Sequence, residues 1–134
     1  MTRILLVLAL ILHICFADYS KYQLDTFKDI SMQCYRNLGI PEDSDILQRI
    51  EYNRNITEDP LIKEFLLCGQ KLLGWIDTDG NFQNETIIRF FSDRYDAEQV
   101  KEVVELCVLS GGETVLDKVY NFHQCYFKHK KYAL

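Results

Sequence analysis

The sequence lacks the patterns that catalysis, metal binding and nucleic-acid binding usually require. It contains no H-E-x-x-H, no G-x-S-x-G and no glycine-rich phosphate loop, so we expect neither an enzyme nor a bound cofactor. No two cysteines stand close together as C-x₂-C, the ligand spacing typical of structural zinc. Lys and Arg number 15 against 20 Asp and Glu. This acidic balance argues against nucleic acid and anionic membranes as partners.

One segment, residues 75–85, resembles the start of a calcium loop. Its sequence WIDTDGNFQNE places oxygen-bearing side chains at alternate positions, namely Asp77, Asp79 and Asn81. An EF-hand loop also needs Gly at its sixth position and Glu at its twelfth. Counted from Asp77, these positions are Phe82 and Ile88, and counting from Asp79 fails as well. We therefore predict a turn here and no metal site.

A long apolar run occurs at the amino terminus and nowhere else in the sequence. It covers residues 4–14, follows the basic Arg3, and is too short to span a bilayer. Small residues, including Ala17, come next, as at the cleavage site of a secretory signal peptide. We predict that residues 1–17 are a signal peptide, and that residues 18–134 form one domain of a secreted, extracellular protein.

Four cysteines remain after the predicted cleavage. They are Cys34, Cys68, Cys107 and Cys125. An even number of cysteines in a small secreted domain predicts two disulfide bonds. Four cysteines allow three pairings, and their spacing alone does not choose among them. All four fall in predicted helices, so the bonds would join helix to helix.

Helical periodicity recurs along the domain, and the alternation typical of strands does not. The first predicted helix ends at Gly39, and a short second helix lies within residues 42–52. A third begins at Asp59–Pro60 and runs to about Leu73, because Pro is tolerated in the first helical turn. Its apolar residues, from Leu61 onward, cover a wide arc of the helix surface.

Three further helices follow the turn at residues 75–85. The fourth would be capped by Asn84 or Thr86, and Asp96 opens the fifth, whose valines form the clearest apolar stripe in the chain. Thr114 opens the sixth. The sequence therefore predicts an all-α fold, a compact bundle of about six short helices.

These helices and cysteines resemble the insect odorant-binding proteins, the pheromone and general odorant-binding family. Family members carry six cysteines, with a C-x₃-C and a C-x₈-C pattern, and this chain has Glu64 and Leu116 at the second and fifth positions. The paired loss resembles the family's four-cysteine "minus-C" subgroup. The resemblance implies the disulfides Cys34–Cys68 and Cys107–Cys125, and an internal apolar cavity.

Glu64 stands where the resemblance places a buried cysteine. An unpaired carboxylate is costly to bury. We therefore expect Glu64 to lean into solvent or to pair with Lys63 or Lys118. Without a disulfide at this level, we also expect the third and sixth helices to be less tightly joined.

The resemblance implies a carrier of small hydrophobic molecules, and the chain is rich in aromatic residues, with 8 Tyr, 8 Phe and one Trp. Any one of these residues could instead simply form the core. The predicted ligand-binding residues are Leu66, Leu72, Trp75, Ile76, Phe82, Ile87, Phe90, Val104, Val108, Val119, Phe122 and Tyr126. One polar side chain would orient the ligand, and the candidates are Tyr126, Tyr120 and Gln70.

Several alternatives stay open at this stage. We interpret His123 as structural, with a pH-sensitive gate as the alternative. The sequons at Asn55 and Asn84 are possible N-glycosylation sites. The alternative function is a secreted protein-interaction module, for example in saliva, venom or a reproductive secretion. A membrane receptor is a possible partner of a carrier, and both a monomer and a weak homodimer fit the sequence.

Overall fold

The computed structural model describes residues 19–130, so the predicted signal peptide and its cleavage after Ala17 lie outside the described residues. The chain there forms six α-helices, which are α1 (Lys21–Leu38), α2 (Ile46–Tyr52), α3 (Pro60–Leu72), α4 (Asn84–Phe91), α5 (Ala97–Cys107) and α6 (Val115–His129). This confirms the predicted all-α fold. None of the described helices is long and apolar enough to cross a membrane.

Short polar side chains fix where most of the helices begin. Asp59, Asp96 and Thr114 each accept a hydrogen bond from a backbone N–H in the first turn of α3, α5 and α6. At the start of α1, Ser20 and Gln23 form a capping box in which each side chain bonds the other's backbone N–H. Each of these caps depends on residues two or three apart, which is why sequence patterns can predict them.

The start of α4 differs from the prediction. The N-cap position is Gln83, whose side chain makes no capping hydrogen bond, so the predicted cap by Asn84 or Thr86 is wrong. The position is set by the preceding turn, where the Gln83 N–H donates to the Trp75 carbonyl at 2.8 Å. Both Asn84 and Thr86 therefore already lie inside the helix.

Two disulfide bonds join the helices in pairs. Cys34–Cys68 connects α1 to α3, and Cys107–Cys125 connects α5 to α6. This is the pairing that the family resemblance implies. The bonds span 34 and 18 residues of sequence, and closing loops of this size stabilises a fold by about 3–4 kcal/mol each in the chain-entropy model.

Buried side chains form two clusters that meet at α6. One cluster centres on α4 and α5, with Ile87 and Val104 fully buried, and α6 adds Phe122. The other lies among α1, α2 and α3, with Ile46 and Phe65, and α6 adds Val119. Because α6 contributes to both clusters, it holds the two halves of the molecule together.

The wide apolar arc of α3 is only partly covered. Leu61 and Leu72 are 40% and 45% exposed, so Leu72, one of the predicted ligand-binding residues, lies at the surface. The reason is that α3 packs mainly on two neighbours, α1 and α6. Leu61 and Leu72 lie about three helical turns apart on the same edge of the arc, and these two helices leave that edge in solvent.

Glu64 lies exposed on α3, and no ion pair reaches it within the described part of the chain. The neighbouring Lys63 instead pairs with Asp117 of α6, with 2.6 Å between Nζ and Oδ1. Lys118 donates to the backbone carbonyl of Gly80. Of the two expected outcomes, Glu64 thus leans into solvent, and a different charged pair links α3 to α6.

Candidate functional site

A cavity lies between α1, α2, α3 and α6. Its volume is about 80 Å³. It is lined by Tyr19, Phe27, Ile30, Ser31, Leu47, Ile50, Glu51, Phe65, Leu66, Gly69, Gln70, Leu73, Trp75, Phe91, Phe122, His123, Tyr126 and Phe127. Most of these side chains are apolar or aromatic, and none is Lys or Arg. Concave apolar sites with a few polar groups are typical of small-molecule binding.

Gly69 helps to keep this space open. It lies on α3, one helical turn from Phe65 and from Leu73, which also line the cavity. A Cβ atom built on Gly69 would meet nothing within 4 Å. A residue without a side chain therefore stands on the cavity wall, where a larger residue would extend into empty space.

The structure brings together four of the twelve predicted ligand-binding residues in the cavity wall. These are Leu66, Trp75, Phe122 and Tyr126. Gln70, one of the three candidates for orienting the ligand, lines the cavity as well. Tyr120 does not line it, and its ring lies beneath the Lys63 ammonium. That any of these side chains contacts a ligand stays a prediction.

The other eight predicted residues lie outside the cavity wall. Three belong to the cluster around α1, α2 and α3, namely Ile76, Phe82 and Val119. Four belong to the cluster around α4 and α5, namely Ile87, Phe90, Val104 and Val108. Leu72 is exposed. For the residues of α4 and α5, the physical reason is that these two helices pack closely on each other and α5 also packs on α6, so neighbouring side chains fill their apolar faces.

Sequence reasoning missed much of the wall on α1 and α2. Phe27 and Ile30 lie on the inward face of α1, and Leu47 and Ile50 on that of α2. The helical spacing of these four residues predicts that they are buried. Residues of a filled core have the same spacing, so the spacing does not predict a cavity. Glu51 also lines the cavity. No sequence pattern predicts this position, because its burial depends on residues distant in the chain.

His123 holds the end of α2 in place. Its Nε2–H donates to the Ile50 carbonyl at 2.9 Å, and Gln124 Nε2 lies 3.1 Å from its Nδ1. Gln124 also donates to Asn53 Oδ1. Burial, with a smaller effect of the Lys130 charge, lowers the pKa of His123 to about 4. The ring is therefore neutral near pH 7, as expected for a structural histidine that supplies a hydrogen bond to a helix end.

Glu51 is the carboxyl group in the cavity wall. Burial raises its pKa to about 7, because the charged form loses water contacts. No ion pair to it occurs within residues 19–130. Its backbone carbonyl accepts a hydrogen bond from the Tyr19 hydroxyl, which fixes the end of α2 from the other side. The carboxyl is consequently present in both the protonated and ionised forms at neutral pH.

Two residues that line the cavity each have one polar side-chain atom that is buried without a hydrogen-bond partner in the described structure. These atoms are Gln70 Oε1 and Trp75 Nε1. The amide nitrogen of Gln70 donates to the Val119 carbonyl at 3.3 Å, which leaves its oxygen as a free acceptor. The two residues are also joined through the backbone, since the Trp75 N–H donates to the Gln70 carbonyl at 2.9 Å. Unpaired buried polar groups are rare and call for an explanation.

Residues 75–83 of the segment 75–85 form a turn, and residues 84–85 begin α4. Asp77 Oδ1 accepts the backbone N–H groups of Asp79 and Asn81 at 2.9 and 2.8 Å, and Ile76 pairs with Phe82 across the turn. The carboxylate of Asp77 is thus used within the turn itself. Among the described residues, no group of three or more His, Cys, Asp or Glu side chains could hold a metal ion.

The two sequons lie in different surroundings. Asn55 is exposed in the connection between α2 and α3 and has a left-handed backbone, with φ of 52°. Asn84 is the first residue of α4 and is partly buried. Glycosylation of either residue stays a prediction, and exposure favours Asn55.

A helical bundle, closed by two disulfides around an apolar cavity, defines a class of small-molecule-binding domains. The chain belongs to the PBP/GOBP family, the insect odorant-binding proteins, because the family profile matches residues 16–129. The family resemblance is thereby confirmed, while membership of the "minus-C" subgroup stays a prediction. Members of this family bind ligands rather than catalyse reactions.

Among solved structures, the chain is similar to a fatty acid binding protein, OBP56a, from the oral disk of the blowfly Phormia regina. The TM-score is 0.66 at 20% sequence identity, covering 83% of this chain and 94% of that protein. At this identity, the likeness shows a shared fold. No curated protein sequence matches the chain.

Proposed function

We propose that the protein is a secreted carrier that binds small hydrophobic molecules in the cavity between α1, α2, α3 and α6, and that it solubilises and transports them. The observation that carries this proposal is the cavity itself, with its largely apolar and aromatic wall and no Lys or Arg side chain. Burying apolar ligand surface contributes about 25 cal/mol per Å² before the ligand's ordering is subtracted. Odorants, pheromones and similar lipophilic molecules have suitable chemistry.

Secretion is part of this proposal. Two disulfide bonds are typical of proteins that fold in oxidising compartments. The predicted signal peptide at residues 1–17 would direct the chain there. The acidic composition fits a protein dissolved in an extracellular fluid, and membership of the PBP/GOBP family supports the same location.

The first experiment is a titration of the purified protein with the fluorescent probe N-phenyl-1-naphthylamine. A carrier should bind the probe saturably at micromolar concentrations, and a panel of volatile and fatty molecules should displace it selectively. The absence of saturable binding, in protein whose two disulfides are shown to be intact, would contradict the carrier. The protein-interaction module would then become the better hypothesis.

A pair of variants at Gly69 links the binding to this particular cavity. Gly69→Phe should fill the open space next to the glycine and weaken probe binding at least ten-fold. Gly69→Ala is the matched control, because it adds one methyl group where nothing lies within 4 Å and favours the helix by roughly 1 kcal/mol. Equal probe affinity in the two variants would place the binding site elsewhere.

A further inference from the structure

The carboxyl group of Glu51 indicates which ligands the cavity prefers, and this inference rests on the proposed carrier function. In α2, Leu47, Ile50 and Glu51 occupy positions i, i+3 and i+4, which lie on one face of a helix. All three residues line the cavity. The face of α2 that carries the Glu51 side chain is therefore turned towards the cavity.

This carboxyl group has no partner within residues 19–130. The Tyr19 hydroxyl bonds the backbone carbonyl of Glu51, and no ion pair reaches the side chain. Its oxygens keep some accessible surface, unlike the sealed atoms Gln70 Oε1 and Trp75 Nε1. Burial nevertheless raises the pKa of Glu51 to about 7. The carboxyl group is thus short of water and still open to a ligand.

The rest of the cavity wall suits a cation better than an anion. No described residue of the wall is Lys or Arg, and His123 is neutral near pH 7 because burial lowers its pKa to about 4. Eight of the 18 residues that line the cavity are Phe, Tyr or Trp. The faces of aromatic rings carry partial negative charge, so they attract cations and repel anions.

Two aromatic rings around the end of α2 already contact cations. The Arg54 guanidinium lies 5.4 Å from the centre of the Tyr52 ring, and the Lys130 ammonium lies 4.4 Å from the centre of the Phe127 ring. Neither Arg54 nor Lys130 lines the cavity, and neither forms an ion pair with Glu51. The Glu51 carboxylate therefore remains available to a cation that enters with a ligand.

We propose that the cavity prefers lipophilic amines, whose protonated ammonium group pairs with the Glu51 carboxylate. A charged group is costly to remove from water unless it is paired, and this carboxylate supplies the pairing. A neutral alcohol of the same chain length makes only one charged-to-neutral hydrogen bond with Glu51, which is weaker. A carboxylate of that length is repelled by Glu51.

Displacement of N-phenyl-1-naphthylamine at about pH 8 by octylamine, octanol and octanoate tests the proposal. An alkylamine is protonated at this pH, since its ammonium group resembles that of Lys, with a pKa of about 10.4. We expect octylamine to bind about ten-fold more tightly than octanol, and more tightly still than octanoate. In protein that binds the probe saturably, octylamine affinity no higher than that of octanol or octanoate would overturn the amine preference and leave the carrier function standing.

Two variants of equal charge assign the preference to Glu51. Glu51→Gln keeps the shape of the side chain and should weaken octylamine about ten-fold, with octanol changed much less. Glu64→Gln is the matched control, because it removes the same charge from an exposed position on α3 outside the cavity wall, and it should keep the preference. An equal loss of octylamine affinity in both variants would indicate general attraction to an acidic protein and would overturn the assignment. Absence of probe binding in the unmodified protein would overturn both the carrier function and this proposal.

Discussion

The helices α3 and α5 both carry apolar residues at helical spacing, yet these residues lie in different surroundings. On α5, Val100 and Val104 are 0% exposed and pack in the cluster shared with α4 and α6, which we term the closed region. On α3, Leu66 and Gly69 border empty space, in the part of the molecule we term the hollow region. A stripe of apolar residues on a helix therefore predicts that these residues are buried. Whether they border a filled core or a cavity depends on the residues of the helices that face them.

The largest expected effect is the loss of stability when one apolar side chain is truncated in each of the two regions. Ile87→Ala in the closed region removes a fully buried side chain and should lower the free energy of unfolding by about 2–5 kcal/mol. Leu66 borders an existing cavity, so Leu66→Ala should lower the free energy of unfolding by about 2 kcal/mol, the low end of that range. Denaturant unfolding measures both values.

The same two variants should distinguish residues that contribute only to stability from residues that also contribute to ligand binding. Leu66→Ala should alter the affinity for N-phenyl-1-naphthylamine, and Ile87→Ala should leave that affinity unchanged under conditions where the variant is folded. A larger effect of Ile87→Ala on probe affinity would mean that the closed region contributes to the ligand site.

The second effect is the acid sensitivity of the hollow region. The pKa of buried His123 is lowered to about 4, so between pH 6.5 and 4 the unfolded chain binds a proton that the folded chain does not. Stability should therefore fall as the pH falls through this window, by about 3 kcal/mol in total. His123→Gln should remove this contribution from the pH profile of unfolding, and His129→Gln, at the end of the same helix, should not. Identical profiles for the unmodified protein and His123→Gln would contradict this role.

The third effect is the pH dependence of stability that Glu51 causes, which is opposite in sign to that of His123. Burial raises the pKa of Glu51 to about 7, so the folded chain holds a proton more tightly than the unfolded chain. The resulting stability is fully present below about pH 4.5 and is lost as the pH rises towards 7. Glu51→Gln cannot ionise, so it should exceed the unmodified protein in stability at about pH 8, by about 1 kcal/mol after allowance for partial exposure. Thermal unfolding at about pH 5 and pH 8 measures the change, and a constant difference between the two would count against it.

The smallest effect concerns the link between α3 and α6. The hydrogen bond and charge of Lys63, together with Thr114, lower the pKa of Asp117. Asp117→Asn should speed hydrogen exchange in the first turn of α6, since the ion pair to Lys63 is lost. Asp25→Asn, in the exposed Lys21–Asp25 pair, is the matched control and should change little. Equal exchange in the two variants would show that the Lys63–Asp117 pair does not hold the helices together.

The sequence predicts those parts of the fold that depend on neighbouring residues. Asp59, Asp96 and Thr114 begin helices because each cap needs only the residues that follow it. Gly39 ends α1 in a left-handed conformation, with φ of 66°, for the same local reason. The disulfide pairing, by contrast, came from resemblance to the family, because spacing left three alternatives.

The cavity could not be predicted in the same way. Phe90 and Leu66 are both buried on the apolar faces of their helices, but Phe90 meets the rings of Trp75 and Phe91, whereas Leu66 borders the cavity. Burial raises the pKa of Glu51, and no pattern in the sequence around Glu51 indicates that burial. A pattern of apolar residues contains no information about the side chains opposite, and those side chains determine the shape of the site.

The open space beside Gly69 also makes this position suitable for a reporter group. The four cysteines within residues 19–130 are all in disulfides, so Gly69→Cys would add the one free thiol of this part of the chain, on the cavity wall. Since nothing lies within 4 Å of the Cβ position, the cysteine side chain fits without a clash, and an environment-sensitive dye could be attached to its thiol. A ligand that enters the cavity would displace water around such a dye and change its emission. The fold thus provides a ready position for a reagentless optical sensor of lipophilic molecules.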